Sequence, residues 1–212
     1  MGRGVMQMAI YRKDESFYSR ADFTRSIAEK IFSGKGAACL RISDAYHLFC
    51  YAKKIPDGGT YFEIGSFLGG SLRCAYEGIR TAGTSVKLIG IEPGGIGLKE
   101  NTKLIPNLHL IRDHSDNAVC LIRDSSVNLL FLDSDHRYEQ TRKDILNYWP
   151  KIKLGGILLA HDYFTARGFE GFSKAITGVK QAIDEKFSVQ NLTTFPRNSL
   201  LCAIQKKHEN LS

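Results

Sequence analysis

Short apolar runs alternate with amphipathic stretches along most of this chain. The apolar runs are rich in β-branched, leucine and aromatic residues and lie at 61–64, 86–91, 108–111, 127–132 and 156–160. Apolar residues recur at helical spacing at 21–32, 44–54 and 176–187. Strands without polar alternation are typical of a parallel sheet that is buried on both faces. The pattern therefore predicts an α/β fold in which helices cover a central parallel sheet.

Two predicted helices precede the first strand. Because they lie outside the alternation of strands and helices, we expect them to form an N-terminal helical cap beside the sheet. Ser43 is the predicted N-cap of the second helix, since a serine side chain can accept a hydrogen bond from a free N–H group of the first turn. His47 in the same helix is predicted to pack rather than to react.

The last part of the chain is predicted to contain a β-hairpin. Segments 187–193 and 199–205 have strand-like composition and are joined through 196–198. Segment 165–173 is rich in glycine and phenylalanine and is predicted to be a mobile loop that can close over a substrate. We expect one domain, which consists of an arm and cap helices at 1–55, a core at 56–206 and a tail at 207–212.

Composition and charge restrict the class of protein. The 212 residues are 43% hydrophobic and 24% charged, which is ordinary for one globular domain. The net charge of +7 is scattered rather than gathered in a run, so no nucleic-acid partner is expected. Five cysteines without a Cys-x-x-Cys pair indicate reduced thiols rather than disulfides or a zinc site. Without a hydrophobic signal core or an apolar stretch of about 18 residues, the protein is predicted to be cytoplasmic and to have no membrane contact.

The stretch at 60–74 has the order strand, glycine turn, helix start. Glycine has no Cβ and tolerates a positive φ, so Gly65, Gly69 and Gly70 would allow the backbone to approach a bound cofactor closely. The helix start offers free N–H groups, and the helix is expected to end at Gly83. The stretch predicts a binding site for a nucleotide-like ligand, with a turn that binds nothing as the alternative.

Two acidic residues indicate which kind of ligand this is. The glycine spacing is Gly-x-x-x-Gly-Gly rather than the Gly-x-Gly-x-x-Gly of dinucleotide sites, and Glu63 stands where a pyrophosphate would be repelled. An acid at this place favours a ligand with a cationic end. Glu92 follows the second strand, where a carboxylate can accept hydrogen bonds from ribose hydroxyls, although it lies further from Gly65 than in dinucleotide sites.

Polar side chains also follow the later strands. They are Asp113, His114 and Ser115 after the third strand, Asp133, Asp135 and His136 after the fourth, and His161 and Asp162 after the fifth. In open α/β sheets the carboxyl ends of the strands share one edge, and ligands bind there. We therefore expect the chemistry at this edge. Asp135 and His136 have an alternative role as the cap of the following helix.

Four blocks carry a resemblance to a known family: FEIGSFLGGS, IGIEP, VNLLFLDSDHRYEQTRKDI and KLGGILLAHDY. Their order and spacing resemble the class I S-adenosylmethionine-dependent methyltransferases, in the small-molecule O-methyltransferase-like branch with a DxDHxY stretch and a terminal HDY. The resemblance implies a three-layer Rossmann-like sandwich of seven strands, of which the last is antiparallel. It also implies S-adenosylmethionine as the cofactor and methyl transfer as the reaction.

The predicted cofactor residues are Glu63, Gly65, Ser66, Gly69, Glu92, Ser115 and Asp133. By resemblance, Gly65 and Ser66 lie beside the methionine portion, and 113–115 approaches the adenine. This chain has Asp-His-Ser at 113–115, where relatives often have Gly-Asp-Ser. S-adenosylmethionine has no phosphate and carries an ammonium and a sulfonium group, so the acids Glu63 and Glu92 favour it over NAD.

Two mechanisms stay open at the catalytic edge. Methyl transfer needs an acceptor oxygen that is held in line with the sulfonium methyl group and is deprotonated at low cost. By resemblance to catechol-type enzymes, Asp133, His161 and Asp162 bind a divalent metal. A histidine ligand suits Mn²⁺, Fe²⁺ or Zn²⁺ better than Mg²⁺. In the metal-free alternative, His161 or His136 is the catalytic base, and Asp162 or Asp133 orients it.

The acceptor is predicted to be a hydroxyl group of a small molecule, and a homodimer is compatible with the sequence. Two other classes of function are a cofactor-binding Rossmann-like protein without catalysis and a nicotinamide-dependent oxidoreductase. The polar strand ends argue against the first of these. Glu63 and the glycine spacing argue against the second.

Overall fold

Seven strands form one sheet, with helices on both of its faces. The computed structural model describes residues 22–33, 38–164, 173–195 and 199–207. The helices are α1 Arg25–Phe32, α2 Ile42–Lys53, α3 Gly70–Ala82, α4 Leu98–Asn101, α5 Ser115–Ala118, α6 Tyr138–Tyr148 and α7 Ser173–Lys186. The strands are β1 Thr60–Ile64, β2 Lys87–Ile91, β3 Leu108–Ile111, β4 Val127–Leu132, β5 Ile152–Ala160, β6 Leu192–Thr194 and β7 Cys202–Gln205. Short 3₁₀ turns lie at Val119–Leu121, Trp149–Lys151 and Val189–Asn191.

The strands lie in the order β3-β2-β1-β4-β5-β7-β6. Neighbours from β3 to β5 are parallel, and β7 runs antiparallel to both β5 and β6. The predicted, mostly parallel sheet of seven strands with the last strand antiparallel is therefore confirmed. The strand order reverses between β1 and β4, so the carboxyl ends of these two strands border a crevice of the kind that binds ligands in open α/β sheets.

Both faces of the sheet are covered, as the continuous apolar runs predicted. Helices α1, α2 and α3 share one hydrophobic core with one face, and α6 and α7 share a second core with the other. Alternate residues of a strand point to opposite faces. In β1, Tyr61 and Glu63 therefore point toward the layer of α1 to α3, while Phe62 and Ile64 point toward α6 and α7. The predicted three-layer sandwich is confirmed.

The two N-terminal helices lie beside the sheet, but their first turns differ from the expected ones. Helix α1 begins at Arg25, four residues later than predicted, after Thr24 as its N-cap. Helix α2 begins one residue before Ser43, so the predicted N-cap is wrong and Ser43 is buried inside the first turn. His47 packs as expected, because its ring stacks on Phe195 with the ring centroids 4.2 Å apart.

Three strands differ from the prediction by more than one residue at an end. Strand β5 begins at residue 152 rather than 156, because Gly155 adopts a φ of +78° and the register with β4 shifts at this bulge. Strands β6 and β7 are shorter than predicted, and 189–191 is a 3₁₀ turn rather than part of a strand. Their antiparallel pairing agrees with the predicted hairpin, whose turn at 196–198 lies outside the described residues.

Some expectations fall on residues that the structure does not describe. These are the N-terminal arm at 1–21, the loop at 165–172 and the tail from 208. Among the helices that are described, none combines the length and the apolar composition needed to cross a lipid bilayer.

Candidate active site at the carboxyl edge of the sheet

A cavity of about 620 Å³ opens at the carboxyl edge of the sheet. Residues that follow β1, β2, β3, β4 and β5 all contribute to its wall, as expected for an open α/β sheet. The described part of the wall contains five carboxylates, from Glu92, Asp116, Asp133, Asp135 and Asp162. Arg137 also lines the cavity, but its guanidinium is paired with Asp135 at 2.5 Å. Asp116 pairs with Lys143, and Asp133 and Asp162 lie beside His136 and His161. Glu92 has no ion-pair partner among the described residues, so positive charge on a ligand is favoured chiefly there.

Glu92 lines this cavity directly after β2. Its Oε2 accepts a hydrogen bond from Phe67 N at 2.8 Å, and its Oε1 accepts one from Gly94 N at 2.9 Å. The carboxylate thus joins the loop after β1 to the loop after β2. Each oxygen keeps a further lone pair that can accept a hydrogen bond from a ligand hydroxyl, as the predicted ribose contact requires.

Ser115 lines the cavity at the start of α5. Its Oγ donates a hydrogen bond to Asp144 Oδ1 at 2.6 Å, and Ser134 Oγ donates one to Oδ2 of the same carboxylate at 2.9 Å. Gln140 Nε2 also donates to Asp144 Oδ1, at 3.0 Å. Burial raises the pKa of Asp144, and these three hydrogen bonds oppose the rise. This cluster holds the loops after β3 and β4 against α6, and so fixes the wall of the cavity around Ser115.

Three side chains converge at the ends of β4 and β5. One ligand atom from each of Asp133, His136 and Asp162 lies within 4.8 Å of the other two. His136 Nε2 is 2.8 Å from Asp162 Oδ2 and 3.5 Å from Asp133 Oδ1, yet it is not aligned to donate a hydrogen bond to either oxygen. One imidazole nitrogen and two carboxylate oxygens this close together form a suitable donor set for a divalent cation.

The pKa values of Asp133, His136 and Asp162 are shifted by the charges of their neighbours. The neighbouring carboxylates, first Asp133 and then Asp162, raise the pKa of His136 to about 10. Burial opposes the ionisation of Asp133 and of Asp162, but the two imidazoles beside them hold the pKa of both carboxyl groups below its ordinary value. A proton on His136 thus balances part of the negative charge, and a bound cation would displace that proton.

His161 also lines the cavity, but it is not part of the three-ligand group of Asp133, His136 and Asp162. Its ring is 7% exposed, and its Nδ1 is 3.1 Å from Asp162 Oδ2 and 3.3 Å from Asp133 Oδ1. Its Nε2 faces Asp44 Oδ2 of α2 at 3.3 Å. Burial by itself would lower the pKa of His161, but Asp133 and Asp162 raise it well above the usual range. Since both ring nitrogens of His161 face carboxylates, this geometry favours His136 over His161 as a metal ligand.

Asp162 has an unusual backbone conformation. Its φ is +56°, in the left-handed region that costs energy for residues other than glycine. The backbone is held on both sides of it, because His161 N donates a hydrogen bond to Leu132 O at 3.0 Å and Tyr163 N donates one to Leu200 O at 2.9 Å. The surrounding strands thus maintain the conformation that directs the Asp162 carboxylate to the cavity.

Asp135 has a local role in spite of its place on the cavity wall. Its Oδ1 accepts a hydrogen bond from Arg137 N at 3.0 Å, directly before α6 begins at Tyr138. Arg137 also pairs with this carboxylate through its side chain and lowers the pKa of Asp135. The N-cap of α6 is Arg137, without a side-chain cap hydrogen bond, so the alternative in which Asp135 and His136 cap this helix is wrong.

Glu63 is fully buried and is not among the described residues that line the main cavity. Tyr61 Oη donates a hydrogen bond to Glu63 Oε2 at 2.5 Å, and Ser71 Oγ donates one to Oε1 at 2.8 Å. Burial raises the pKa of Glu63 to about 7, and the two hydrogen bonds oppose the rise. Ser71 also lines a small pocket of about 30 Å³ beside the glycine turn. The structure thus offers an indirect route from Glu63 to a cofactor, through Ser71, and a direct contact stays a prediction.

Replacement of Glu63 by glutamine is expected to change how stability depends on pH. The folded protein binds the Glu63 proton up to about pH 7, whereas the unfolded chain releases it near the ordinary pKa of 4.5. This group therefore makes the folded state less stable as the pH rises through that window, by about 3 kcal/mol in total. Urea unfolding of wild type and Glu63→Gln at about pH 5 and pH 8 should show a gain for the variant at the higher pH. Parallel pH dependences of the two proteins would contradict this.

The glycine turn has its shape for reasons of packing within the protein. At Gly65 φ is +93°, and a Cβ would lie 2.1 Å from Asp133 O, so the close contact that requires glycine is with protein backbone rather than with a cofactor. Gly69 is the N-cap of α3, where a Cβ would lie 2.4 Å from Thr102 Cγ2. Among the described residues, Gly65 lines the main cavity, whereas Ser66 lines the small pocket and Gly69 lines neither.

Two buried acids of this region, Asp44 and Asp144, were not candidates from the sequence. Asp44 lies one turn before Leu48 in α2, so its place on the buried face is visible in the helical spacing. Its partners are not visible, because Ser199 is 155 residues away in the sequence. A carboxylate on the apolar face of a predicted helix is the one signal that could have indicated either residue.

Residues 62–163 match the family model that is described as a methyltransferase domain. The match begins in β1 and ends at Tyr163, just after β5. It therefore includes the whole glycine turn, Glu92 and the group of Asp133, His136 and Asp162.

Similar proteins extend over larger parts of the chain. A protein of Acanthamoeba polyphaga mimivirus, described as uncharacterized protein R132, is 27% identical over 160 residues, which cover 68% of this chain and 71% of that protein. The methyltransferase PaMTH1 of Podospora anserina, solved with S-adenosylhomocysteine bound, has a TM-score of 0.61 at 17% identity and covers 98% of this chain and 89% of its own. A SAM-dependent O-methyltransferase of Thermotoga maritima has a TM-score of 0.62 at 13% identity, over 88% of this chain and 73% of its own. At these identities the two structures show a shared fold. Residues 62–163 thus resemble a methyltransferase domain in sequence, and the chain shares its fold with these solved methyltransferases.

Proposed function

We propose that this protein transfers a methyl group from S-adenosylmethionine to a hydroxyl group of a small molecule, beside a divalent cation held by Asp133, His136 and Asp162. The observation that carries the proposal is the convergence of these three ligand atoms within 4.8 Å on the wall of the cavity. The same wall includes Glu92, whose carboxylate can accept hydrogen bonds from a ribose. One cavity thus combines a place for the cofactor with a place for the acceptor.

The cavity suits S-adenosylmethionine better than a dinucleotide. The cofactor carries ammonium and sulfonium cations and no phosphate, and the carboxylate of Glu92, which has no ion-pair partner among the described residues, favours positive charge and opposes a pyrophosphate. Glu92 would hold the ribose, and Ser115 lies where the resemblance expects the adenine. Gly65 lines the cavity where the resemblance expects the methionine portion.

The donor set also fits a divalent cation. One imidazole nitrogen and two carboxylate oxygens suit Mn²⁺, Fe²⁺ or Zn²⁺ better than Mg²⁺, which prefers oxygen ligands. Such a cation supplies a Lewis acid that lowers the pKa of a bound hydroxyl group. We favour His136 over His161 in this set, because both nitrogens of His161 face carboxylates. Asp133 and Asp162 would supply the negative charge, and His136 the nitrogen lone pair.

The metal-free alternative, with an imidazole as the catalytic base, has less support. His136 lies between two carboxylates that raise its pKa to about 10, so it holds a proton at neutral pH and is a poor base. His161 is buried and is engaged at both ring nitrogens. A bound cation would therefore promote deprotonation of an acceptor hydroxyl group more effectively than either imidazole ring.

Calorimetric titration with S-adenosylhomocysteine tests the cofactor part of the proposal. We expect Glu92→Ala to lose about 1.5–3 kcal/mol of binding free energy relative to wild type, because it removes a charged acceptor of hydrogen bonds. Glu100→Ala is the matched control, since Glu100 is an exposed residue of α4 that pairs with Lys103 and is not among the described residues of the cavity. Its affinity should equal that of wild type.

Methyl release tests the catalytic part. Labelled S-adenosylmethionine, Mn²⁺ and a panel of small hydroxyl compounds should give labelled product with at least one acceptor. This result separates an enzyme from a protein that only binds the cofactor. Binding of NAD in place of S-adenosylhomocysteine, or wild-type affinity in Glu92→Ala, would contradict the proposal.

A further inference from the structure

The cap helix α2 contributes a buried carboxylate to the catalytic edge. Asp44 is fully buried and is not among the described residues that line the cavity. Its Oδ1 accepts hydrogen bonds from Ser199 Oγ at 2.7 Å and from Leu200 N at 2.8 Å, and its Oδ2 faces His161 Nε2 at 3.3 Å. Burial of a carboxylate is costly unless both oxygens are engaged, so the contact with His161 completes the environment of Asp44.

His161 connects Asp44 to the two acids of the proposed cation site. Its Nδ1 is 3.1 Å from Asp162 Oδ2 and 3.3 Å from Asp133 Oδ1. Because an imidazole ring is rigid, the contact at one nitrogen determines the direction of the other. The contact of Nε2 with Asp44 therefore sets the ring in the orientation in which Nδ1 bridges the two carboxylates.

We propose that Asp44 is a positioning residue, which acts through the His161 ring to hold Asp133 and Asp162 in the arrangement that binds a divalent cation. The inference rests on the proposed function and extends it from the three ligands to a residue of the cap. Partners of this outer kind orient the ligands, and their loss typically lowers metal affinity by about 10- to 100-fold. Asp162 depends on such support in particular, because its φ is +56°.

Asp44 reaches Asp162 by a second route, through the chain. Leu200 N donates a hydrogen bond to Asp44, and Leu200 O accepts one from Tyr163 N at 2.9 Å, directly after Asp162. Only the first route includes the His161 ring, so a double-mutant cycle with His161 separates the two. Ser199→Ala removes one hydrogen bond from Asp44 Oδ1 and leaves the contacts with His161 and Leu200 N in place.

A Mn²⁺ titration, followed by calorimetry or electron paramagnetic resonance, tests the inference. We expect Asp44→Ala to bind Mn²⁺ about 10- to 100-fold more weakly than wild type. Asp44→Asn, whose amide oxygen can still accept from Ser199 and Leu200 N and whose NH₂ group can donate to an unprotonated Nε2 of His161, should stay within about threefold of wild type. Ser199→Ala should keep the wild-type affinity. The affinity for S-adenosylhomocysteine, measured on the same samples, should be unchanged in all variants, because Glu92 is part of other loops.

A double-mutant cycle shows whether Asp44 acts through His161. In a His161→Ala background, Asp44→Ala should cause no further loss of Mn²⁺ affinity. The inference is overturned if Asp44→Ala keeps the wild-type Mn²⁺ affinity. It is also overturned if the affinity losses of Asp44→Ala and His161→Ala multiply in the double variant, or if Ser199→Ala loses as much affinity as Asp44→Ala. If Asp44→Ala does not fold, Asp44→Ser takes its place with the same expectation, since serine can serve Leu200 N but is too short for His161.

The wild-type protein separates this inference from the proposed function. A protein that binds S-adenosylhomocysteine and releases methyl groups but binds no Mn²⁺ would overturn the role of Asp44 and leave methyl transfer intact. A protein that binds Mn²⁺ with the expected dependence on Asp44, but binds no S-adenosylhomocysteine, would support the role of Asp44 and contradict the proposed function.

Discussion

Asp162→Asn is expected to lower methyl transfer by on the order of 10²–10⁴-fold while the affinity for S-adenosylhomocysteine stays unchanged. Asparagine has the shape of aspartate and tolerates a left-handed backbone, so the φ of +56° should be preserved. The neutral amide would leave Asp133 as the only carboxylate of the three-ligand group. Loss of function should therefore come from the lost charge and not from a changed fold.

Turnover of labelled cofactor and Mn²⁺ affinity, measured together, check this expectation. Asp184→Asn is the matched control. Asp184 accepts a hydrogen bond at 2.7 Å from Oη of Tyr163, the residue that follows Asp162, but Asp184 is not among the described residues of the cavity. Its turnover should equal that of wild type. Full turnover in Asp162→Asn, or in wild type after exhaustive chelation, would refute the cation site.

The second large effect is expected for stability. Gly65→Ala should lower the free energy of unfolding by about 4 kcal/mol or more, which is exceptional for a single substitution. The added Cβ would lie 2.1 Å from Asp133 O and 2.7 Å from Ser134 Cα, and at a φ of +93° the residue cannot rotate away without strain. Both contacts are with backbone that follows β4, so neither can move aside as a flexible side chain would.

Gly83→Ala separates the effect of the contact from the effect of the backbone conformation. Gly83 ends α3 with a φ of +71°, and a Cβ there would have no atom within 4 Å. Its substitution should cost only the strain of the left-handed conformation, about 1–2 kcal/mol. Denaturant unfolding measures both variants. Similar losses in the two proteins would show that the contact with Asp133 is relieved at little cost.

The fold could be predicted because its strands are buried on both faces. A strand between two layers of helices needs apolar side chains in both directions, so β1, β2 and β4 appear as continuous apolar runs. The ends of the elements were less predictable. Strand β5 continues through a bulge at Gly155, and a glycine in a sequence indicates a turn as readily as a bulge.

The position of the site could also be predicted, since the carboxyl ends of parallel strands lie at one edge. Glu92, Asp133 and Asp162 each follow a strand, and all three line one cavity. The choice between His136 and His161 was not predictable from spacing. His161 and Asp162 are adjacent and both line the cavity, and only the three-dimensional structure shows that Nε2 of His161 faces Asp44 of α2 while Asp162 joins the three-ligand group.

For Glu63, too, the sequence predicts one property and the tertiary structure decides another. The alternation of side chains places Glu63 on the face of Tyr61, and this much is a property of the sequence. Its complete burial depends on α3, which supplies Ser71 as a hydrogen-bond partner. The raised pKa of Glu63 is therefore a result of tertiary packing.

The sequence by itself thus determined the sheet, the glycine turn and the edge at which the acids gather, because these follow from local periodicity and from the common direction of parallel strands. The tertiary structure decided which side chains bond to one another. Asp44 and His161 are 117 residues apart, and their contact exists because α2 packs beside the end of β5. Contacts of this kind depend on the packing of whole layers, which no local pattern in the chain records.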